Sequence, residues 1–166
     1  MRSLLNAAGD YRRELATLVL AGLRISELGG LRWRAIDLAN GTLMVEESKT
    51  EAGEGRKIDV IPLLLSELKL HRAEHPEAGS DDSCSRLQWD APRDRSNSRG
   101  RLKTILKRAN TARAEEELPP ITYVTNHTLR RTFASLMYEA GAQPTGLMAQ
   151  MGHKSSKLAL ESTRSG

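Results

Sequence analysis

His127 and Arg130 stand three residues apart at the start of a predicted helix in the run HTLRRTFASLMYEAGAQPTGLMAQMGH, residues 127 to 153. That spacing sends an imidazole and a guanidinium off one face, where together they can grip a small anion. Leu129, Phe133, Leu136 and Met137 recur at helical spacing on another face, which is therefore expected to be buried. Gly141 ends this helix, Pro144 opens a second, Gly152 closes it and His153 follows directly. Two imidazoles and a guanidinium are thereby fixed relative to one another. Arg24 lies just past Gly22 among Leu20, Leu23, Ile25 and Leu28. Its guanidinium either lines a cleft or is anchored by a carboxylate, and Glu27, three residues on, is the nearest candidate. Lys49 falls near the end of a predicted hairpin strand, where a lysine either guards a solvated edge or is carried to an anion by loop closure.

The elements that must position these groups follow from pattern. A chain of 166 residues, 39% hydrophobic and 28% charged, suffices for one domain with a real core. Aromatics are only 4% and Phe133 is the sole phenylalanine, so the core should be mainly aliphatic. Asp10 reads as the N-cap of a helix carrying Leu15, Leu18 and Val19 and running into Gly22. Residues 41–45 and 58–61 read as two strands of a hairpin joined by TEAGEG, and Pro62 starts a helix that ends at His75-Pro76. His71 and His75 have metal-compatible spacing, but without a third ligand they read as surface histidines near a helix end. Residues 76 to 100 read as a long loop with Trp89 as an anchor, followed by a helix with the apolar stripe Leu102, Ile105, Leu106 and Ala109. Glu115 to Glu117 and Pro119-Pro120 close that helix. The predicted fold class is mainly α with a small antiparallel β-sheet.

The formal net charge of +4 is unevenly spread. Between Arg86 and Arg108 eight basic residues face two acids, so this segment carries +6 and the rest of the chain −2. Arg93, Arg95, Arg99, Arg101, Lys103, Lys107 and Arg108 are the candidate contacts to a polyanion backbone, with a merely solvated helix face as the alternative. Cys84 is the only cysteine, which excludes an internal disulfide and suits a reducing compartment. No apolar run approaches the roughly 20 residues of a membrane span, so a soluble, cytoplasmic protein is expected.

The run H-x-L-R-R-T-F-A followed by M-G-H, preceded in order by AGLRISELGGLRW around Arg24 and SKT around Lys49, resembles the catalytic domain of the tyrosine recombinase (phage integrase) family over residues 1 to 161. The resemblance implies a catalytic-core-like fold, double-stranded DNA as partner together with other recombinase protomers, and strand cleavage and rejoining without a metal or other cofactor. Two guanidiniums can hold the non-bridging oxygens of a phosphodiester and the extra charge of a phosphorane. By resemblance Arg24 and Arg130 clamp that phosphate, Lys49 protonates the leaving oxygen, His127 acts as acid/base, His153 hydrogen-bonds a phosphate oxygen, and Glu27 supports them from behind.

The family's nucleophile is a tyrosine nine or ten positions after the last histidine, where this chain has Ser162 and Thr163. Its tyrosines are Tyr11, Tyr123 and Tyr138, all before His153. Tyr138 lies eight residues beyond Arg130, on the order of 12 Å along a helix, and reads as a packing residue. An aliphatic hydroxyl ionises far above the phenol's roughly 10 and is a poor substitute. The expectation is a single catalytic-type domain over residues 1–166, lacking an N-terminal core-binding domain and the nucleophile segment, inactive as it stands and monomeric in isolation. The alternative is a non-enzymatic DNA-binding or regulatory remnant.

Overall fold

Helix α2 (Arg12–Leu20) is buried from Glu14 to Leu20 because its sequence carries no charge after Glu14. Helices α1 (Arg2–Ala7), α4 (Pro62–Glu74) and α6 (Asn126–Glu139) pack around it. The computed structural model describes residues 1–49, 51–84 and 95–152, without the side chains of 52 and 95–97. Trp89, Arg93, His153, Ser162, Thr163 and the Arg95 side chain lie outside the described residues.

Asp10 does not cap α2. A 3-10 turn, Gly9–Tyr11, intervenes, and the helix starts at Arg12 with Tyr11 in the cap position. Burial of the Tyr11 ring beneath the Arg101 guanidinium, 5.5 Å from its centroid, sets this path, and that burial pushes the phenol up to about 12.

The sheet has three strands in the order β1 (Ile36–Asp37), β2 (Thr42–Val45) and β3 (Arg56–Asp59), all antiparallel. The short β1 was not expected, and β3 begins and ends two residues before the predicted strand. Leu43 pairs with Ile58 and Val45 with Arg56, so Leu43, Val45, Ile58 and Arg56 turn inward while Met44 and Lys57 turn out.

His71 is buried, not at the surface, because the chain after α4 folds back over it. The Cys84 amide donates to Leu31 O at 2.9 Å and the Arg34 amide to Ser80 O at 2.8 Å, closing residues 76–84 over the end of α4. The His71 ring lies 5.4 Å from Trp33 and its Nε2 is 3.2 Å from Cys84 O. Burial, and then the nearby Arg13 charge, push its pKa down.

Helix α5 (Arg95–Glu115) starts before the expected end of the loop and buries Leu102, Ile105 and Ala109 as the stripe predicts, packing on α1. Asn110 holds the chain after α5 through two 2.9 Å hydrogen bonds with the Ile121 amide and carbonyl. On α6, Leu129 and Phe133 are buried and Met137 partly so, but Leu136 is exposed. The buried face is shifted toward Arg130 and Ala134, where α6 meets α2 and α7 (Pro144–Met151). Tyr138 is 56% exposed and so is not the packing residue expected. Among the described residues, no helix is long and apolar enough to cross a membrane.

Candidate active site

Arg24 occupies the N-cap position of α3 (Ile25–Gly30) in extended conformation, and its amide donates to Glu27 Oε2 at 2.8 Å. This local turn, a glutamate at the third helical position accepting from the cap amide, brings the two side chains together. The Arg24 guanidinium donates to Glu27 Oε1 at 2.7 Å and to Ser48 Oγ at 3.1 Å. Arg56 arrives from β3 and donates to both oxygens of Glu27, at 3.0 and 2.7 Å. Arg130, from the first turns of α6, places Nη1 3.8 Å from Glu27 Oε2. Ser48 donates to Glu27 Oε1 at 2.7 Å. One buried carboxylate thus gathers three guanidiniums from α3, β3 and α6, an excess of two positive charges among these four side chains.

The electrostatics follow. Burial pushes Glu27 up, but the hydrogen bonds from Arg56, Ser48, the Arg24 amide and the Arg24 guanidinium outweigh it and hold the carboxyl down at about 2. Arg130 is pushed down to about 10 by burial and by the charge of Arg24, with Glu27 opposing. It remains a cation at neutral pH.

The same arginines grip the end of α7. Arg56 Nε donates to Gln150 O at 2.8 Å, Arg130 Nη2 to Met151 O, and Arg24 Nη2 to Gly152 O at 3.4 Å. Arg130 Nη1 also donates to Gly22 O. The last carbonyls of a helix lack internal partners and carry the negative end of its dipole, so three cations are well placed there. Gly152 closes α7 in the left-handed conformation at φ 60°. Arg24 keeps 23% of its side chain exposed, against 6% for Arg56 and 7% for Arg130. It is the guanidinium open to an incoming ligand.

Close packing requires two glycines. A Cβ on Gly53 would lie 2.3 Å from Ser48 Oγ and 3.0 Å from Arg24 Nη1, and one on Gly22 would lie 2.3 Å from the Phe133 ring.

The structure therefore brings together Arg24, Glu27 and Arg130. Lys49 lies in the bend beyond the end of β2, next to Ser48, with an exposed side chain. His127 is exposed in the first turn of α6. The start of that helix is fixed by a capping box, in which the Thr128 amide donates to Thr125 Oγ1 at 3.1 Å and the Thr125 amide to Thr128 Oγ1 at 3.1 Å. Thr125→Ala is expected to cost about 1 kcal/mol in urea denaturation. Exchanged hydrogen bonds between Ser98 and Asn126, 3.2 and 3.0 Å, tie the first turns of α5 to this same end of α6. Arg99, Lys103, Lys107 and Arg108 on α5 are exposed, while Arg101 is partly covered against Tyr11.

Sequence reasoning missed Arg56 and Ser48. The signal for Arg56 was its phase: residues 56, 58 and 60 alternate as Arg, Ile and Val on one side of a strand, which puts an arginine on the buried face.

The model of the family described as "Phage integrase family" matches residues 2–161. The chain belongs to this family. It is 31% identical to a tyrosine recombinase XerC of Pelobacter propionicus over 144 residues, which are 87% of this chain and 44% of that protein. It is 33% identical to the prophage integrase IntF of Escherichia coli over 147 residues, 87% of this chain and 28% of that one. The chain thus spans less than half the length of these curated relatives. Among solved structures, the XerA recombinase matches 99% of the chain with a TM-score of 0.78 at 20% identity, covering 58% of that chain. The Tn1549 transposon integrase in complex with transposon right end DNA matches 99% with a TM-score of 0.78 at 24% identity, covering 59%. These likenesses establish the integrase catalytic fold, mainly α with a small antiparallel sheet.

Proposed function

We propose that this chain is the phosphate-activating part of a site-specific DNA recombinase, and that it binds duplex DNA. The observation that carries this reading is the excess of cationic charge held by Glu27, with Arg24 as its open member. A scissile phosphate entering here supplies the missing negative charge and competes for Arg24 with the Gly152 carbonyl, whose 3.4 Å hydrogen bond is the longest in the cluster. Arg24 holds one non-bridging oxygen and Arg130 the other once it exchanges its Met151 carbonyl partner for the phosphate. Lys49 delivers a proton to the leaving oxygen from its exposed bend, His127 moves protons at the exposed end of α6, and His153 hydrogen-bonds the phosphate. Glu27 and Arg56 hold these arginines in place. The exposed cations of α5 follow the backbone alongside, joined to the site through Ser98 and Asn126. None of the steps needs a metal ion, because the guanidiniums supply the positive charge.

At the position of the family's nucleophile this sequence carries Ser162 and Thr163, while Tyr11 is buried, Tyr138 lies about two turns past Arg130, and Tyr123 precedes α6. That observation favours a second reading, in which the chain occupies DNA without cutting it. Fluorescence anisotropy with a duplex should show affinity falling several hundred-fold between 50 and 200 mM salt, the drop for about five phosphate contacts. Lys103→Ala with Lys107→Ala should lower the logarithmic salt slope by about two. Salt-independent binding would refute the assigned surface. On a nicked duplex the chain should form no covalent adduct. A tyrosine-bearing helix supplied in trans, or Thr163→Tyr extended by apolar helix, should produce one if the site is catalytic. Continued inertness of folded, DNA-bound protein would leave the binding reading.

A further inference from the structure

His71, Glu74 and His75, at the end of α4, each place one ligand atom within 4.8 Å of the other two. The spacing of the two histidines alone offers two ligands, and Glu74 supplies a third. Each of the three already has a partner at one of its polar atoms. His71 Nε2 lies 3.2 Å from the Cys84 carbonyl, which only accepts, so Nε2 carries the proton and Nδ1 carries the lone pair. That Nδ1 is buried and has no hydrogen-bond partner. A buried nitrogen lone pair without a partner is costly, and the His75 ring stands 4.9 Å from the His71 ring, centroid to centroid.

His75 Nδ1 is 3.2 Å from Glu77 Oε1, which leaves Nε2 as its unshared donor. Glu74 Oε2 accepts from Arg13 Nη2, which leaves Oε1. A carbonyl behind one imidazole, a carboxylate behind the other and a donor behind the glutamate are the partners that fix ring tautomers and orient metal ligands.

We propose that His71, Glu74 and His75 bind a divalent transition-metal ion of the zinc class, with water completing the coordination. Two nitrogens and one oxygen suit zinc, nickel or copper and not magnesium or calcium. Ligand atoms about 2.1 Å from a tetrahedral ion stand roughly 3.4 Å apart, so Glu74 and His75, both partly exposed, close by about an ångström around the fixed His71. The ion would tie the end of α4 to the segment that covers it through Cys84. It is structural, shares no residue with the arginine cluster, and is independent of the function proposed above. The Arg13 charge beside Glu74 opposes the ion, and Glu77 behind His75 favours it.

Zinc chloride titrated calorimetrically into chelator-treated full-length chain should fill one site. His75→Ala should weaken that site at least ten-fold while leaving the circular dichroism unchanged, because His75 follows the last turn of α4 and its ring is partly exposed. Glu74→Gln should weaken it too. X-ray absorption of the zinc-loaded chain should show two imidazoles and oxygen at about 2.0–2.2 Å. Zinc should also raise the melting temperature of the unsubstituted chain and not of His75→Ala. The proposal is overturned if the unsubstituted chain takes up no zinc, if folded His75→Ala binds it equally well, or if absorption shows sulfur ligation.

Discussion

Glu27→Gln is expected to destabilise the chain by about 3–5 kcal/mol at pH 7, read as a lower urea midpoint. The carboxylate is fully buried and is the common partner of Arg24, Arg56 and Arg130, so the substitution leaves three neighbouring guanidiniums with no counter-charge. Truncating one member of a buried ionic cluster exposes the desolvation cost of the rest. The pH dependence has a definite sign. Glu27 is held at about 2, below its ordinary 4.5, so its stabilisation is fully present above pH about 4.5 and is lost as pH falls toward 2. The difference between the unsubstituted chain and Glu27→Gln should therefore be constant from pH 5 to 7 and shrink between pH 4.5 and 2. A difference that grows in acid would mean that Glu27 is protonated in the fold.

Gly22→Ala is expected to cost about 3 kcal/mol. Gly22 sits at φ +61°, where an alanine pays about 1–2 kcal/mol, and its Cβ would lie 2.3 Å from the Phe133 ring, which adds about 1–3 kcal/mol of overpacking. Because Arg130 donates to the Gly22 carbonyl, the displacement is passed to the arginine cluster, and DNA affinity should fall with stability. Gly100→Ala is the control. Gly100 lies within α5 with nothing near its added Cβ, so the substitution should stabilise by up to about 1 kcal/mol. Equal effects of the two substitutions in urea denaturation would show that the Gly22–Phe133 contact is not formed.

The legible parts of the site were the local ones. Arg24 and Glu27 are three residues apart, and a helix start brings them together whatever the rest of the chain does. Pro144 and Gly152 bound α7 through backbone conformations that those residues favour. Arg56 was missed because its role depends on strand register: pairing with Val45 turns its side chain to the covered face of the sheet, where Glu27 awaits it. Leu136 was expected to be buried from periodicity alone, and Tyr138 to pack because it lies too far along the helix from Arg130. Helical spacing gives a stripe but not its width, and the contacts of α6 with α2 and α7 centre that stripe on Arg130, Phe133 and Ala134. His71 was placed at the surface because its covering segment, residues 76–84, shows no pattern and is held by backbone hydrogen bonds to Leu31, Trp33 and Arg34.

By itself the sequence determined the family, the order of the hairpin and the longer helices, and the cationic residues, since these reside in local spacing, in turn-forming residues and in motifs read along the chain. Only the tertiary structure decided that Glu27 serves three arginines, that these arginines hold the last carbonyls of α7, and that the segment ending at Cys84 covers His71. Those are relations between groups up to 128 residues apart, as in the Arg24 guanidinium and the Gly152 carbonyl, and they exist once burial of the apolar faces has chosen which elements touch.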